Sequence, residues 1–219
     1  TGRGRFVDDL GTRPGTLQAA ILRSPHAHAD ILGIDITAAA AMPGVVAVIT
    51  GRDLAKLTAP MVAGLKVAVE NWPMAVERAR YVGEPVAIVV AQDRYLAEDA
   101  VDAVEVEYSA LPCVVDTLAT LEPDAPLLHE RAGANLVSDR HFRYGDPEGA
   151  FAKAEHQVSV SIAYPRNTGA PMETFGVVAE YDPHEDAYDI LANFQGPFSI
   201  HAVLARCLKV PGNRLRLRM

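Results

Sequence analysis

Residues 193–197, Asn-Phe-Gln-Gly-Pro, put an uncharged amide where a strand-like run gives way to a helix. Gly196 is placed to cap that helix and Pro197 to fill its first position, where a missing N–H costs nothing. The start of a helix carries unpaired N–H groups and the positive end of the macrodipole, so it favours an anion or an electron-rich acceptor. The Gln195 amide adds a donor with neither a charge nor a proton to lose. Such a set suits an oxo group or a phosphate that must be held and not titrated. On the residues alone the plainer alternative stands beside it, because most glutamines at strand–helix junctions hold nothing.

Other residues offer weaker chemistry. His26 and His28, in Ser24-Pro25-His26-Ala27-His28, could share one face of a strand and present two nitrogens to a metal, with Asp30 as a third ligand. No further His, Cys or Glu cluster lies near them in sequence, so hydrogen-bonded structural histidines are the favoured reading. Glu84 could act as an acid or base, but Gly83-Glu84-Pro85 is explained as a turn, since Pro85 restricts the residue before it to extended backbone. Glu173, in Pro171-Met172-Glu173, sits at a loop-to-strand transition and is expected to hold a neighbouring backbone group or an arginine. Cys113 and Cys207 are far apart in apolar surroundings and form no C-x-x-C pair. They are expected to be packed, reduced thiols, with no iron–sulfur cluster or zinc knuckle. No G-x-S-x-G, P-loop or H-E-x-x-H motif occurs. The residues thus nominate no catalytic group and no metal ligand.

These candidates must be positioned by elements, and hydrophobic periodicity shows where the elements fall. Strands are expected at 17–22, 31–36, 45–49, 86–91 and 103–108. Thr37 is expected to cap a short alanine helix. Asp93 caps a longer one in which Ala97, Ala100, Val101 and Val104 fall at i, i+3, i+4 and i+7. Residues 54–75 have weak periodicity and read as an irregular excursion. Interleaved strands and helices argue for an α/β or α+β unit ending near Val115. Residues 116–135, with Pro123, Pro126 and Gly133, read as a loop and a boundary. Beyond it, Asp146-Pro147 opens a helix with Ala150, Phe151 and Ala154 on its buried side. Strands follow at 158–164, 175–181 and 188–194, the last two joined by a polar hairpin loop at 183–187. The helix at 197–208 is expected to bury Ile200, Val203, Leu204, Cys207 and Leu208. A turn at Pro211-Gly212-Asn213 then leads into a last strand.

The totals exclude some classes. Twenty basic against 28 acidic residues give a formal charge of −8, the wrong balance for a nucleic-acid partner. No run of 18 apolar residues exists, so no membrane span is expected. Thr1-Gly2-Arg3-Gly4-Arg5 is not a signal peptide, and the chain ends on an alternating strand pattern, which suggests a piece of a longer polypeptide.

Six stretches, in this order, carry a resemblance: "TGRGRFVDDL", "LRSPHAHADI", "MPGVVAVITGRDL", "RYVGEPVAIVVAQDRYLAEDAVDAVEVEYSALPCVVD", "GDPEGAFAKAEH" and "PMETFGVVAEYDP". Together they resemble the molybdenum-cofactor subunit of the xanthine dehydrogenase, aldehyde oxidase and aerobic carbon monoxide dehydrogenase family. The resemblance implies an α+β (mixed α/β) fold. A hammerhead-like α/β domain would cover 1–120, a linker 121–140, and the first part of a molybdopterin-binding α+β domain 141–219.

By that resemblance Gln195 would donate a hydrogen bond to an oxo ligand of molybdenum, and Gln195 with Gly196 would form the cofactor-binding junction. The family's catalytic glutamate and its Gly-Gly-x-Phe-Gly loop would lie past Met219. Phe175 stands where many members carry an arginine two residues after Pro-Met-Glu. The implied function is that of a molybdenum hydroxylase subunit, oxidising an aldehyde, heterocycle or similar small molecule with water-derived oxygen. Its molybdopterin would be in the cytosine dinucleotide form. Electrons would pass to a 2Fe-2S subunit and an FAD-binding subunit in a cytoplasmic homo-oligomer of heterotrimers. The alternative is that these residues alone form an inactive folding and assembly module without bound cofactor.

Overall fold

In a computed structural model, residues 2–10, 13–62, 69–165 and 167–219 are described. Strands β1 (Gln18–Arg23) and β2 (Ala29–Asp35) are followed by the short helix α1 (Thr37–Ala40), then β3 (Val45–Thr50) and helix α2 (Gly51–Leu57). The two-residue strands β4 (Met61–Val62), β5 (Glu70–Asn71) and β6 (Arg78–Ala79) lead to β7 (Pro85–Ala91), helix α3 (Arg94–Asp102) and β8 (Glu105–Ala110). Later come helix α4 (Pro147–Lys153), the hairpin β9 (Val177–Asp182) and β10 (Ala187–Ala192), helix α5 (Pro197–Leu208) and β11 (Leu215–Arg218).

β7 explains the first core. It lies between β1 and β3, antiparallel to both, with Ile88 opposite Ile21 on one side and Ile49 on the other. Val86, Ala87, Val89 and Ala91 are fully buried. A strand covered on both faces reads as a continuous apolar run, and Val86 to Ala91 is such a run. On one face, Val89 packs with Ala39 of α1 and with Ala100 and Val104 at the end of α3. On the other, Val86 packs with Ile31 and Ala75 against the sheet β6-β2-β8. α3 sits where its amphipathic spacing requires, and the Asp93 carboxylate accepts the Leu96 N–H at 2.9 Å.

The short helices correct two expectations. Thr37 lies inside α1, not at its cap; Asp35 Oδ1 accepts the Thr37 N–H at 2.8 Å instead. α2 begins just before the stretch 54–75 that reads as irregular and runs into it, held by a reciprocal Thr50–Asp53 capping box. Gly51 is buried there, and a Cβ on it would stand 1.9 Å from the Ala75 carbonyl oxygen. Residues 63–68 of that stretch lie outside the described residues.

After β8 the chain is pinned back onto the sheet. Leu111 N–H donates to the His28 carbonyl at 2.9 Å, and Arg78 joins Asp30 at 2.6 Å to Glu130 at 3.0 Å. The loop expected over 116–135 carries two short 3-10 turns, 119–121 and 130–132. Asn135 ties it to itself through Leu128 N–H, Thr120 C=O and Pro126 C=O.

In the remaining part β10 is the centre of a three-stranded sheet, antiparallel to β9 and parallel to β11, with α5 as the crossover. α4 is capped by Asp146 as its spacing implies, but it buries none of its residues, and Phe151 is 62% exposed. The strand expected at 158–164 does not form. Those residues run without ladder partners, with Val158 86% and Ile162 84% exposed. α5 occupies the expected range, yet it fully buries only Ala205; of the five side chains expected to be buried, Val203, Leu204, Cys207 and Leu208 are half-buried and Ile200 is exposed. Cys207 is half-buried, whereas Cys113 is exposed in the segment leaving β8, so only one of the two thiols is packed. Among the described residues no helix is long and apolar enough to cross a membrane.

Candidate functional site at the strand–helix junction

Gln195 lies three residues past the end of β10 and is exposed to solvent. Gly196 is the N-cap of α5, with φ +68° and ψ +57°, and no side chain caps the helix. The Gly196 carbonyl accepts the Ser199 and Ile200 N–H groups at 3.1 Å and the Ser199 hydroxyl at 2.8 Å. A Cβ on Gly196 would stand 2.7 Å from that hydroxyl oxygen, and positive φ is costly for any residue with a Cβ. Glycine is therefore required here by backbone and space together. Pro197 has no N–H to offer, which leaves the Phe198 N–H and the exposed Gln195 amide as donors at the helix start. Phe198 and Met172 are almost fully exposed, and Phe175 is exposed as well.

A second segment is held beside the junction. The β9–β10 ladder ends with Ala192 opposite Val177. One residue further, Gly176 N–H donates to Asn193 Oδ1 at 2.8 Å, and Asn193 Nδ2 donates to the Thr174 carbonyl at 2.7 Å. The adjacent Glu173 accepts the Val7 N–H on Oε1 at 2.7 Å, across 166 positions of sequence. Glu173 thus holds a backbone group, one of the two uses its position suggests. Asn193 is absent from the sequence-based candidates. Its amide type was legible, but its partners appear only once β9 and β10 are paired.

The other candidates do not join this site. Glu84 is buried in the turn before β7, its carboxylate accepting the Arg80 N–H. Burial pushes its pKa up, opposed by that hydrogen bond and by the Arg80 charge. His28 is 6% exposed and bonds through Nδ1 to the Pro112 carbonyl at 2.8 Å. His26 packs on the Tyr108 ring at a centroid distance of 4.8 Å, and Asp30 is paired with Arg78. These three are structural. Among the described residues no group of three or more His, Cys, Asp or Glu side chains gathers to hold a metal ion. The Gln195 amide and the Gly196 backbone offer hydrogen-bonding groups that carry no titratable proton near neutral pH.

Comparison with known proteins yields two family models in tandem. One, aldehyde oxidase and xanthine dehydrogenase a/b hammerhead domain, matches residues 1–112. The other, molybdopterin cofactor-binding domain, matches residues 128–219. The carbon monoxide dehydrogenase large chain of Hydrogenophaga pseudoflava is 39% identical over 232 residues, covering 99% of this chain and 28% of the relative. The nicotine 6-hydroxylase large subunit of Paenarthrobacter nicotinovorans is 37% identical, covering 94% of this chain and 25% of its own. Among solved structures, quinoline 2-oxidoreductase from Pseudomonas putida 86 superposes with a TM-score of 0.88 at 35% identity, over 99% of this chain and 28% of that one. These 219 residues therefore span a little over a quarter of the length of the relatives they match.

Proposed function

The chain belongs to the aldehyde oxidase and xanthine dehydrogenase family, and on that premise we propose that the complete polypeptide is the molybdenum-cofactor subunit of a hydroxylase. Residues 1–120 are its hammerhead domain, 121–140 a linker, and 141–219 the first part of its cofactor-binding domain. The observation that carries the reading is the Gln195–Gly196 junction inside the segment matched by the molybdopterin-binding model.

The residues present fit such a group. An oxygen-rich, anionic cofactor needs donors that do not titrate and backbone that allows close approach. Gln195 offers an exposed neutral amide, and Gly196 supplies the left-handed backbone on which α5 begins, a conformation costly for any residue with a Cβ. When bound, the cofactor supplies two-electron oxidation coupled to insertion of water-derived oxygen at a substrate carbon. In this chain Gln195 would hold and orient that group by hydrogen bonding. Acid–base work falls to residues outside this stretch. The substrate class is an aldehyde, an aromatic heterocycle or a similar small molecule. The cofactor form is the cytosine dinucleotide, and the electron acceptors are separate 2Fe-2S and FAD subunits in a cytoplasmic homo-oligomer of heterotrimers.

The test is to produce the complete polypeptide with its partner subunits and measure molybdenum, the nucleotide released on acid hydrolysis, and turnover across aldehydes and N-heterocycles. Stoichiometric molybdenum with cytidine monophosphate is expected, and Gln195→Ala should lower turnover or metal retention. Full occupancy and unchanged kinetics in Gln195→Ala would remove the role.

A second reading concerns these residues alone. The exposed run Val158, Val160, Ile162 and Tyr164 favours an assembly module that retains no cofactor. Metal analysis of the isolated 219-residue piece decides this: no molybdenum supports the module, and stoichiometric molybdenum rejects it.

A further inference from the structure

The Gln195 side chain sits where regular support has just ended. Backbone pairing between β9 and β10 stops at Ala192 and Val177, yet Gln195 is three residues further on and exposed. Two strands leaving a ladder normally diverge, because nothing replaces the lost N–H···O=C bonds. Here the Asn193 side chain replaces them. Its oxygen accepts from the Gly176 N–H and its nitrogen donates to the Thr174 carbonyl, at 2.8 and 2.7 Å. One amide therefore does the work of a ladder pair and carries the register past the end of the sheet.

The segment it grips is itself anchored at its far end. Glu173 takes the Val7 N–H at 2.7 Å, at the start of the 3-10 turn Val7–Leu10. Val7 also packs tightly on Gly176, where a Cβ would lie 3.2 Å from the Val7 Cβ. The turn is closed on its other side by Asp9, which accepts the Phe6 N–H at 2.9 Å. Contacts therefore run from the N-terminal turn through Glu173 and the 174–176 loop to Asn193, two positions before Gln195. No link in this series needs a charge to change, and each is a directional hydrogen bond of normal length or a close packing contact.

Resting on the reading of Gln195 as a cofactor-facing donor, we propose that Asn193 and Glu173 are positioning residues for Gln195. Asn193 fixes the backbone from which Gln195 projects, and Glu173 fixes the loop that Asn193 grips. Neither touches the cofactor. Their effect is to leave the Gln195 amide one orientation.

The experiment uses the complete holoenzyme with its partner subunits. Four readouts are taken for Asn193→Ala, Gln195→Ala and the double variant: molybdenum content, the electron paramagnetic resonance spectrum of the bound molybdenum, kcat and KM. Amide exchange of the peptide containing Gly176 is followed in parallel. Asn193→Ala should keep its metal, speed exchange at Gly176, and alter the spectrum in the same direction as Gln195→Ala. It should also lower kcat on the order of tenfold to a hundredfold with KM little changed. The double variant should be no worse than Gln195→Ala alone, because a residue acting only through another adds nothing once that other is gone. Additive losses would overturn the proposal, as would a normal spectrum in loaded Asn193→Ala enzyme. If Gln195→Ala itself leaves the spectrum unchanged, the reading of Gln195 fails and the proposal falls with it. Should Asn193→Ala yield no loaded enzyme, the Glu173 pair decides. Glu173→Gln keeps an acceptor for Val7 and should retain the normal spectrum, whereas Glu173→Ala should shift it; equal spectra for the two would overturn the role of Glu173.

Discussion

Glu84 shows how one buried carboxylate sets a pH dependence without taking part in chemistry. Burial raises its pKa above the ordinary glutamate value of 4.5. The folded chain therefore keeps the proton to a higher pH than the unfolded chain does. That contribution to stability is complete below the ordinary value and is lost as pH rises through the raised one. Glu84→Gln keeps an acceptor for the Arg80 N–H and removes the titration. Its urea midpoint relative to the parent should become steadily more favourable as pH rises through that window. A difference independent of pH would contradict the account. Gly51 gives the opposite kind of residue effect. The 1.9 Å approach of a Cβ to the Ala75 carbonyl admits no side chain, so Gly51→Ala should cost about 1–3 kcal/mol, read from the same denaturation curves. At this scale the sequence shows residue type well. The hydrogen bond of His28 and the backbone-holding use of Glu173 follow from what those side chains can do. Asn193 does not, because its value depends on two carbonyl and amide partners 17 and 19 positions away.

Among the elements, helices with local signals were legible to within a residue or so. α3 has its Asp93 cap and Ala97, Ala100 and Val101 on one face; α5 has a Gly-Pro start. Both signals act over a few residues and need no distant partner. Asp93→Ala removes the acceptor of the Leu96 N–H and should cost about 1 kcal/mol, measurable as a lower unfolding midpoint with α3 amides exchanging sooner. α2 was missed because it is short and starts on glycine, which hid the Thr50–Asp53 box. The alternation at 158–164 states which face of a strand would be apolar but supplies no partner, and a strand exists only by pairing. In the same way, the apolar stripes of α4 and α5 mark faces suited to burial, yet among the described residues α4 buries none of its own.

For the molecule as a whole, the two ends of the exposure range fall in different places. The fully buried Val86, Ala87, Val89 and Ala91 lie together on β7 of the sheet β1-β7-β3, while Phe142, Tyr144, Phe151, Val158, Val160, Ile162 and Tyr164 are all exposed between 142 and 164. That is more apolar surface than an isolated monomer ordinarily leaves to water. The 219-residue piece alone should bind a hydrophobic dye and self-associate with rising concentration, as sedimentation would show. The complete polypeptide should do neither to the same extent. Equal dye binding by both would mean that the surface stays open in the whole protein.

The N-terminal stretch also has a bearing on how members of this family can be recombined. Val7 is held by Glu173, Arg13 pairs with Glu180 at 2.7 Å, and Ala59 N–H donates to the Cys207 carbonyl at 2.8 Å. The two stretches matched by separate family models are thus stitched to each other at these points among others, the Arg78–Glu130 pair included. A chimaera joined between 112 and 128 would inherit half of each stitch from each parent. Swapping the front part cleanly would require carrying positions 173 and 180 along with it.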